Sequence, residues 1–122
     1  MFFQKDNNAI ASKVDWKPIT DISQIEDILK NSTEIPVLIF KHSTRCGISR
    51  MVLKEFEQTF DLHDKVVSYY LDLLTYREIS NQIADIFGIT HQSPQILVIK
   101  NGVCVYDASH SDVLSGRLGQ VL

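Results

Sequence analysis

The chain has 122 residues, two cysteines and a formal net charge of −3. That length fits one domain over residues 1–122, large enough to bury a core without disulfide staples. With 44% hydrophobic and 22% charged residues the composition is ordinary globular. The mild acidity speaks against a nucleic-acid binder, and two cysteines are too few for a stapled scaffold or a zinc site built on Cys pairs.

In chain order, Met1-Phe2-Phe3-Gln4-Lys5-Asp6-Asn7-Asn8 lacks the basic start, apolar run and cleavage site of a signal peptide. Residues 1–13 are polar and are expected to be loosely ordered. No segment approaches the roughly 18–20 apolar residues needed to cross a bilayer, so no membrane partner is expected. The default compartment is cytoplasmic, where thiols stay reduced. Trp16-Lys17-Pro18-Ile19 suits a short edge strand, where Pro is tolerated. Residues 20–29 read as a capped helix with Ile22, Ile25, Ile28 and Leu29 on one face. Pro36-Val37-Leu38-Ile39-Phe40 is wholly apolar, as in a strand buried on both faces. After a polar turn, Met51, Val52, Phe56 and Phe60 recur at helical spacing.

Residues 66–73 are rich in β-branched and aromatic side chains and predict a second strand. Residues 78–87 predict a helix with Ile79, Ile83, Ile86 and Phe87 inward and Gly88 as its C-terminal cap. Gln95-Ile96-Leu97-Val98-Ile99 is a third strand. Asn101-Gly102 is a hairpin signal, so residues 103–106 return antiparallel. Residues 112–122 suit a last short helix, weakened by Gly116 and Gly119. The alternating first part implies parallel crossovers and the closing hairpin adds antiparallel strands. The expected fold class is α/β and thioredoxin-like, a central mixed sheet of about four to five strands with helices on both faces.

Cys46 falls between a buried strand and an amphipathic helix. At a helix N-terminus, unpaired backbone N–H groups and the helix dipole favour a thiolate, the nucleophilic form of cysteine, and Arg45 adds positive charge. A lone cysteine is more often a small buried hydrophobe. Here the polar approach through Thr44 and Arg45, followed by Gly47 and Ser49, points to a reactive thiol. Ser49 stands where a C-x-x-C motif has its second cysteine. Its hydroxyl can donate to a thiolate but cannot resolve a mixed disulfide, which implies a monothiol route. An ordinary first-turn serine is the plainer alternative. Ser93-Pro94 precedes the third strand, where this fold carries a cis-Pro loop against the active-site cysteine. Cys104 reads as strand packing rather than as a distal resolving thiol. His42, His63, His91 and His110 have no metal-ligand spacing; His42 and His110 could lie near the site, but surface or capping roles are expected for them. Lys41 and Arg50 are expected to be solvated charges.

His42-Ser43-Thr44-Arg45-Cys46-Gly47-Ile48-Ser49, Ser93-Pro94-Gln95, Lys100-Asn101-Gly102 and Ala108-Ser109-His110 together resemble the YtxJ-type monothiol bacilliredoxins from about Trp16 to the C-terminus. The resemblance implies a cytosolic part in redox homeostasis. It implies no tightly bound cofactor, with a low-molecular-weight thiol, bacillithiol, as co-substrate and proteins carrying mixed disulfides as partners. By the same resemblance Cys46 attacks the bacillithiol sulfur, with Ser49 catalytic beside it. Thr44, Arg45, Gly47, Ser93 and Pro94 form the substrate-binding set, Arg45 meeting a carboxylate of the thiol. One departure is Gly47, where the family usually has Pro. Cys46-Gly47-Ile48-Ser49 is also close to the C-G-F-S of monothiol glutaredoxins, which carry an iron–sulfur cluster with glutathione. Residues 107–112 lack the Gly-Gly turn by which those proteins hold glutathione. Cluster binding and delivery, or a redox-inert interaction domain with a vestigial Cys46, are the alternatives.

Overall fold

A computed structural model describes residues 14–122. Residues 1–13, expected to be loosely ordered, lie outside the described residues. The elements in chain order are β1 (Lys17–Pro18), α1 (Gln24–Asn31), β2 (Val37–His42), α2 (Gly47–Thr59), β3 (Val67–Asp72), α3 (Arg77–Phe87), β4 (Gln95–Lys100) and β5 (Val103–Ser109). Two short 3-10 turns follow, His110–Leu114 and Arg117–Gln120. The strands form one five-stranded sheet in the order β1-β3-β2-β4-β5. β1, β3 and β2 run parallel, whereas β4 and β5 are antiparallel to their neighbours. The sheet is therefore mixed, as the alternation and the hairpin predict.

The two faces follow from strand alternation, since successive side chains of a strand point to opposite sides. Val37 and Ile39 join Ile25 and Ile28 of α1 and Ile79 and Ile83 of α3 in one apolar cluster. Leu38 and Phe40 join Val52 and Phe56 of α2, with Val113 and Leu118 of the C-terminal turns, in the other. Trp16 closes the second cluster, edge-on to Phe40 and 2.6 Å from a Glu57 carboxylate oxygen through its indole N–H.

The same alternation carries two polar residues into the interior. Lys41 continues the α1/α3 face and His42 the α2 face, and they are 0% and 3% exposed. Neither matches the expectation of a solvated Lys41 or a surface His42. β2 lies between β3 and β4 and both of its faces are covered to its last residue. Ile22 and Ile86, expected inward, are nearly half exposed. Ile22 precedes the first turn of α1, and Ile86 shares the Ile79–Ile83 stripe by spacing but lies in the last turn of α3. Met51 is 65% exposed, for the buried stripe of α2 runs through Ser49, Val52 and Phe56. The last predicted helix is instead the two 3-10 turns. They are divided at Gly116, whose φ of 82° lies in the left-handed region that an α-helix does not use. Gly88 ends α3 at φ 64°, and the Asn101-Gly102 turn has positive φ at both residues.

Candidate functional site

The chain leaves the sheet at His42, turns over Ser43, Thr44 and Arg45, and enters α2 at Gly47. Cys46 is the N-cap residue, extended at φ −99° and ψ 119°. Its carbonyl accepts the first helical bond, from the Arg50 N–H at 3.0 Å, and its own N–H donates to the Ser43 carbonyl at 3.2 Å. The Cys46 side chain makes no capping hydrogen bond to the helix. Cys46 thus stands at the start of α2, where the first-turn N–H groups lack helical partners, and the residue is partly exposed.

Ser49 is one turn on and is 0% exposed. Its hydroxyl oxygen accepts from the Ser43 N–H at 3.1 Å and lies 2.8 Å from His42 Nδ1. The hydrogen bonds of Ser49 therefore run to the strand end and the turn, among the described residues, and tie the helix start to β2. Thr44, Arg45 and Gly47 are exposed around Cys46, as are the apolar Ile48 and Met51. Arg50 folds back over the turn, and its guanidinium donates to the Thr44 carbonyl at 3.1 Å. It is a brace on this loop as well as a charge.

β4 brings in the second loop. The register pairs Lys41 with Gln95, so Ser93 and Pro94 lie at the same end of the sheet as the Cys46 turn. The Ser93–Pro94 peptide bond is cis. The Pro94 carbonyl accepts from the His110 N–H at 2.9 Å, and the Ser93 hydroxyl is buried with no hydrogen-bond partner among the described residues. On the other side of β2, Asp72 is the register partner of His42. Burial holds the His42 imidazole below its usual range, partly opposed by the Asp72 carboxylate and reinforced by the Arg50 guanidinium.

The sequence reading allowed His42 near the site but expected a surface or capping role for it, and it did not find Asp72 or Arg50 as parts of this end of the sheet. Their meeting depends on the strand-turn-helix path and on the β2–β3 register, and no local spacing reports either. Behind the cis-Pro loop a further polar group was missed. Lys41 Nζ donates to the Ser80 carbonyl at 3.3 Å and lies 3.3 Å from His91 Nδ1.

Cys104 lies elsewhere. It pairs with Ile99, which pairs with Val37 at the far end of β2. The five residue-to-residue steps from Val37 to His42 amount to roughly 17 Å. Its thiol donates to the Tyr106 carbonyl at 3.3 Å, and burial pushes its pKa up. Among the described residues, no three His, Cys, Asp or Glu side chains come together as a metal site. None of the described helices is long and apolar enough to cross a membrane.

Three solved structures illustrate the likeness of the fold. A thioredoxin-fold protein described as a candidate oxidoreductase superposes with a TM-score of 0.74 at 28% identity, covering 86% of this chain and 91% of that one. Thioredoxin from Trypanosoma brucei brucei gives 0.71 at 16% identity, covering 93% and 95% of the two chains. Malassezia sympodialis thioredoxin gives 0.69 at 22% identity, also covering 93% and 95%. At such identities the two thioredoxins speak for the fold alone. The profile of a sequence family, monothiol bacilliredoxin BrxC, matches residues 17–118. Most of the chain is included, with both the Cys46 turn and the Ser93–Pro94 loop, and the chain belongs to the monothiol bacilliredoxin BrxC family.

Proposed function

We propose that the protein removes a low-molecular-weight thiol, bacillithiol, from mixed disulfides on client proteins in the cytoplasm, with Cys46 as the exchanging thiol. Membership of the bacilliredoxin family supports thiol–disulfide exchange in general. The observation that carries the finer reading is the placement of Cys46 at the N-cap of α2, partly exposed, with Ser49 rather than a second thiol in the following turn.

The chemistry is two successive displacements. The Cys46 thiolate attacks the bacillithiol sulfur of the mixed disulfide. The client–bacillithiol S–S bond breaks, and the client thiolate leaves and takes up a proton from water. Cys46 now holds bacillithiol. A second small thiolate, or another redoxin, attacks that sulfur and returns Cys46 as a thiolate, while the incoming thiol ends as a disulfide. Exposed Ile48 and Met51 beside Cys46 suit contact with a client segment, and the cis-Pro loop suits its orientation. Arg45, exposed next to Cys46, suits a carboxylate on the small thiol.

Intact mass spectrometry tests this reading. A client carrying bacillithiol should lose that adduct as Cys46 gains it, and Cys46→Ala should abolish the transfer. An adduct that stays on the client with the wild-type protein would sink the proposal. Arg45→Gln should raise KM for the bacillithiol-carrying client about threefold or more, with kcat little changed, as expected for loss of one exposed charge contact. An unchanged KM would remove Arg45 from the binding set.

A further inference from the structure

Residues 89–94 join the Gly88 cap of α3 to β4, and Thr90, His91, Gln92 and Ser93 make no backbone–backbone hydrogen bond among the described residues. Side chains from the sheet hold this loop instead. Lys41 of β2 and Gln95 of β4 are register partners, so they stand side by side on the face packed by α1 and α3. Gln95 Nε2 donates to the Thr90 carbonyl at 2.9 Å. Lys41 Nζ lies 3.3 Å from Nδ1 of the next residue, His91, and donates to the Ser80 carbonyl of α3 at 3.3 Å. An ammonium group has donors only, so Nδ1 carries a lone pair and accepts. Lys41 is 0% exposed, and no carboxylate is paired with it among the described residues. A charge buried at that cost points to a role other than stability.

We propose that Lys41 is a positioning residue for the exchange, holding through His91 the loop that carries Ser93 and Pro94 at the Cys46 end of the sheet. The proposal rests on the reading of Ser93 and Pro94 as part of the substrate-binding set. The hold is conditional on the charge of the ring. A protonated His91 has an N–H at both ring nitrogens and no lone pair with which to accept from Lys41. The charged groups acting on the ring are Lys41 of β2 and Arg77 of α3, both cations. Ser80 Oγ of α3, 3.3 Å from Nδ1, is neutral. Burial and the two cations favour the neutral ring, the form in which the hold is made. Lys41 donates as an ammonium or as an amine, so its own ionisation leaves the hold in place. Acid therefore releases the loop, and alkali does not.

Relaxation of the 15N amides of the full chain reads the loop directly. At pH 7 the order parameters of residues 90–92 should lie near the rigid value of about 0.85, and in Lys41→Met they should fall below about 0.6. His91→Asn, whose amide oxygen can accept from Lys41, should keep the wild-type values, whereas His91→Leu should lose them. Packing alone would favour leucine over asparagine, so this contrast separates a hydrogen-bonded hold from a filled space. It also stands where Lys41→Met does not fold. Lowering the pH through the ionisation of His91, followed by its ring shifts, should loosen the wild-type loop and leave that of Lys41→Met unchanged. A loop as ordered in Lys41→Met as in the wild type, or as ordered in His91→Leu as in His91→Asn, would overturn the proposal. These readings need no disulfide, so they separate failure of the proposal from failure of the exchange reading.

Kinetics with the bacillithiol-carrying client supply a second arm. Lys41→Met should raise KM about tenfold with kcat little changed, because only molecules with an ordered loop bind and one hydrogen bond from a charged group is worth about that factor. A small aromatic disulfide, which has no chain to lay along the loop, should react within about twofold of the wild-type rate. An unchanged KM for the client, or an equal loss with both substrates, would overturn the proposal.

Discussion

Lys41 places an amine beneath the sheet with no carboxylate paired to it among the described residues. Its partners are the Ser80 carbonyl and His91 Nδ1, and burial lowers its pKa from the ordinary 10.5 to about 8. His91 is held low by its own burial, and then by the charges of Lys41 and Arg77, so the neutral imidazole is favoured and can accept from the amine. The linkage has a definite sign. Below about pH 8 Lys41 is charged in both folded and unfolded chains, and above 10.5 it is neutral in both. Between those values the unfolded chain binds more protons, so stability rises with pH across the window. Lys41→Met should therefore raise the unfolding free energy at pH 7 by about 1–3 kcal/mol, the scale of a shift of that size. The gain should shrink as the pH climbs from 8 toward 10.5. Urea unfolding at several pH values checks this, and a gain independent of pH would mean that the lysine charge is not what costs stability. Lys41 also shows what was not legible in the sequence. The apolar run ends at Phe40, and a lysine followed by a histidine reads as the start of a solvated loop. Only the pairing of Lys41 with both Leu71 and Gln95 reveals that the strand continues between two neighbours.

At the scale of the element, the ends of α2 and α3 make opposite demands on the backbone. Gly47 is the first residue of α2, and its amide makes no hydrogen bond among the described residues. A Cβ there would meet nothing nearer than Arg50 Nη2 at 3.7 Å, an ordinary contact. Cys46, at φ −99° and ψ 119°, already has the extended conformation that a following proline requires. Gly47→Pro should then stabilise the fold by about 0.4–1 kcal/mol, because it narrows the unfolded ensemble without breaking a contact. Thermal unfolding reads this as a Tm a few degrees higher, and a lowered Tm would show that the turn needs the freedom of glycine. Gly88 is the reverse case. Space around it is open, yet its φ of 64° penalises any Cβ. Gly88→Ala should cost about 1 kcal/mol in the same assay. The Gly88 cap and the Asn101-Gly102 turn were legible because each rests on one residue type in one backbone region. The C-terminal turns were not, since a helical apolar pattern over Val113 and Leu118 says nothing about a left-handed residue at Gly116 between them.

Across the whole molecule, the sheet separates the two thiols. Cys46 caps α2 where β2 ends, at the end of the sheet shared by Asp72 and the Ser93–Pro94 loop. Cys104 lies beside Ile99, on the face packed by α1 and α3. The strand length between the two ends, roughly 17 Å, is well beyond the Cα separation of about 4.4–6.8 Å that a disulfide spans. Closing that gap would mean breaking the β2–β4–β5 ladder, which carries much of the core. Cys104 is also partly buried, its thiol donates to the Tyr106 carbonyl, and burial favours its protonated form. A thiol so placed attacks slowly as well as from too far. The monothiol character read from Ser49 thus extends beyond the local motif, because the fold keeps the other cysteine from serving as a resolving partner. Cys104→Ala should leave the rate of mixed-disulfide exchange within about twofold of wild type, since it touches neither the Cys46 turn nor the cis-Pro loop. Mild oxidation of the reduced wild-type monomer should give small-thiol adducts on Cys46 and no intramolecular Cys46–Cys104 bridge. Peptide mapping under non-reducing conditions reads both outcomes, and a Cys46–Cys104 peptide pair from folded monomer would show that the sheet opens far more readily than its buried ladder implies.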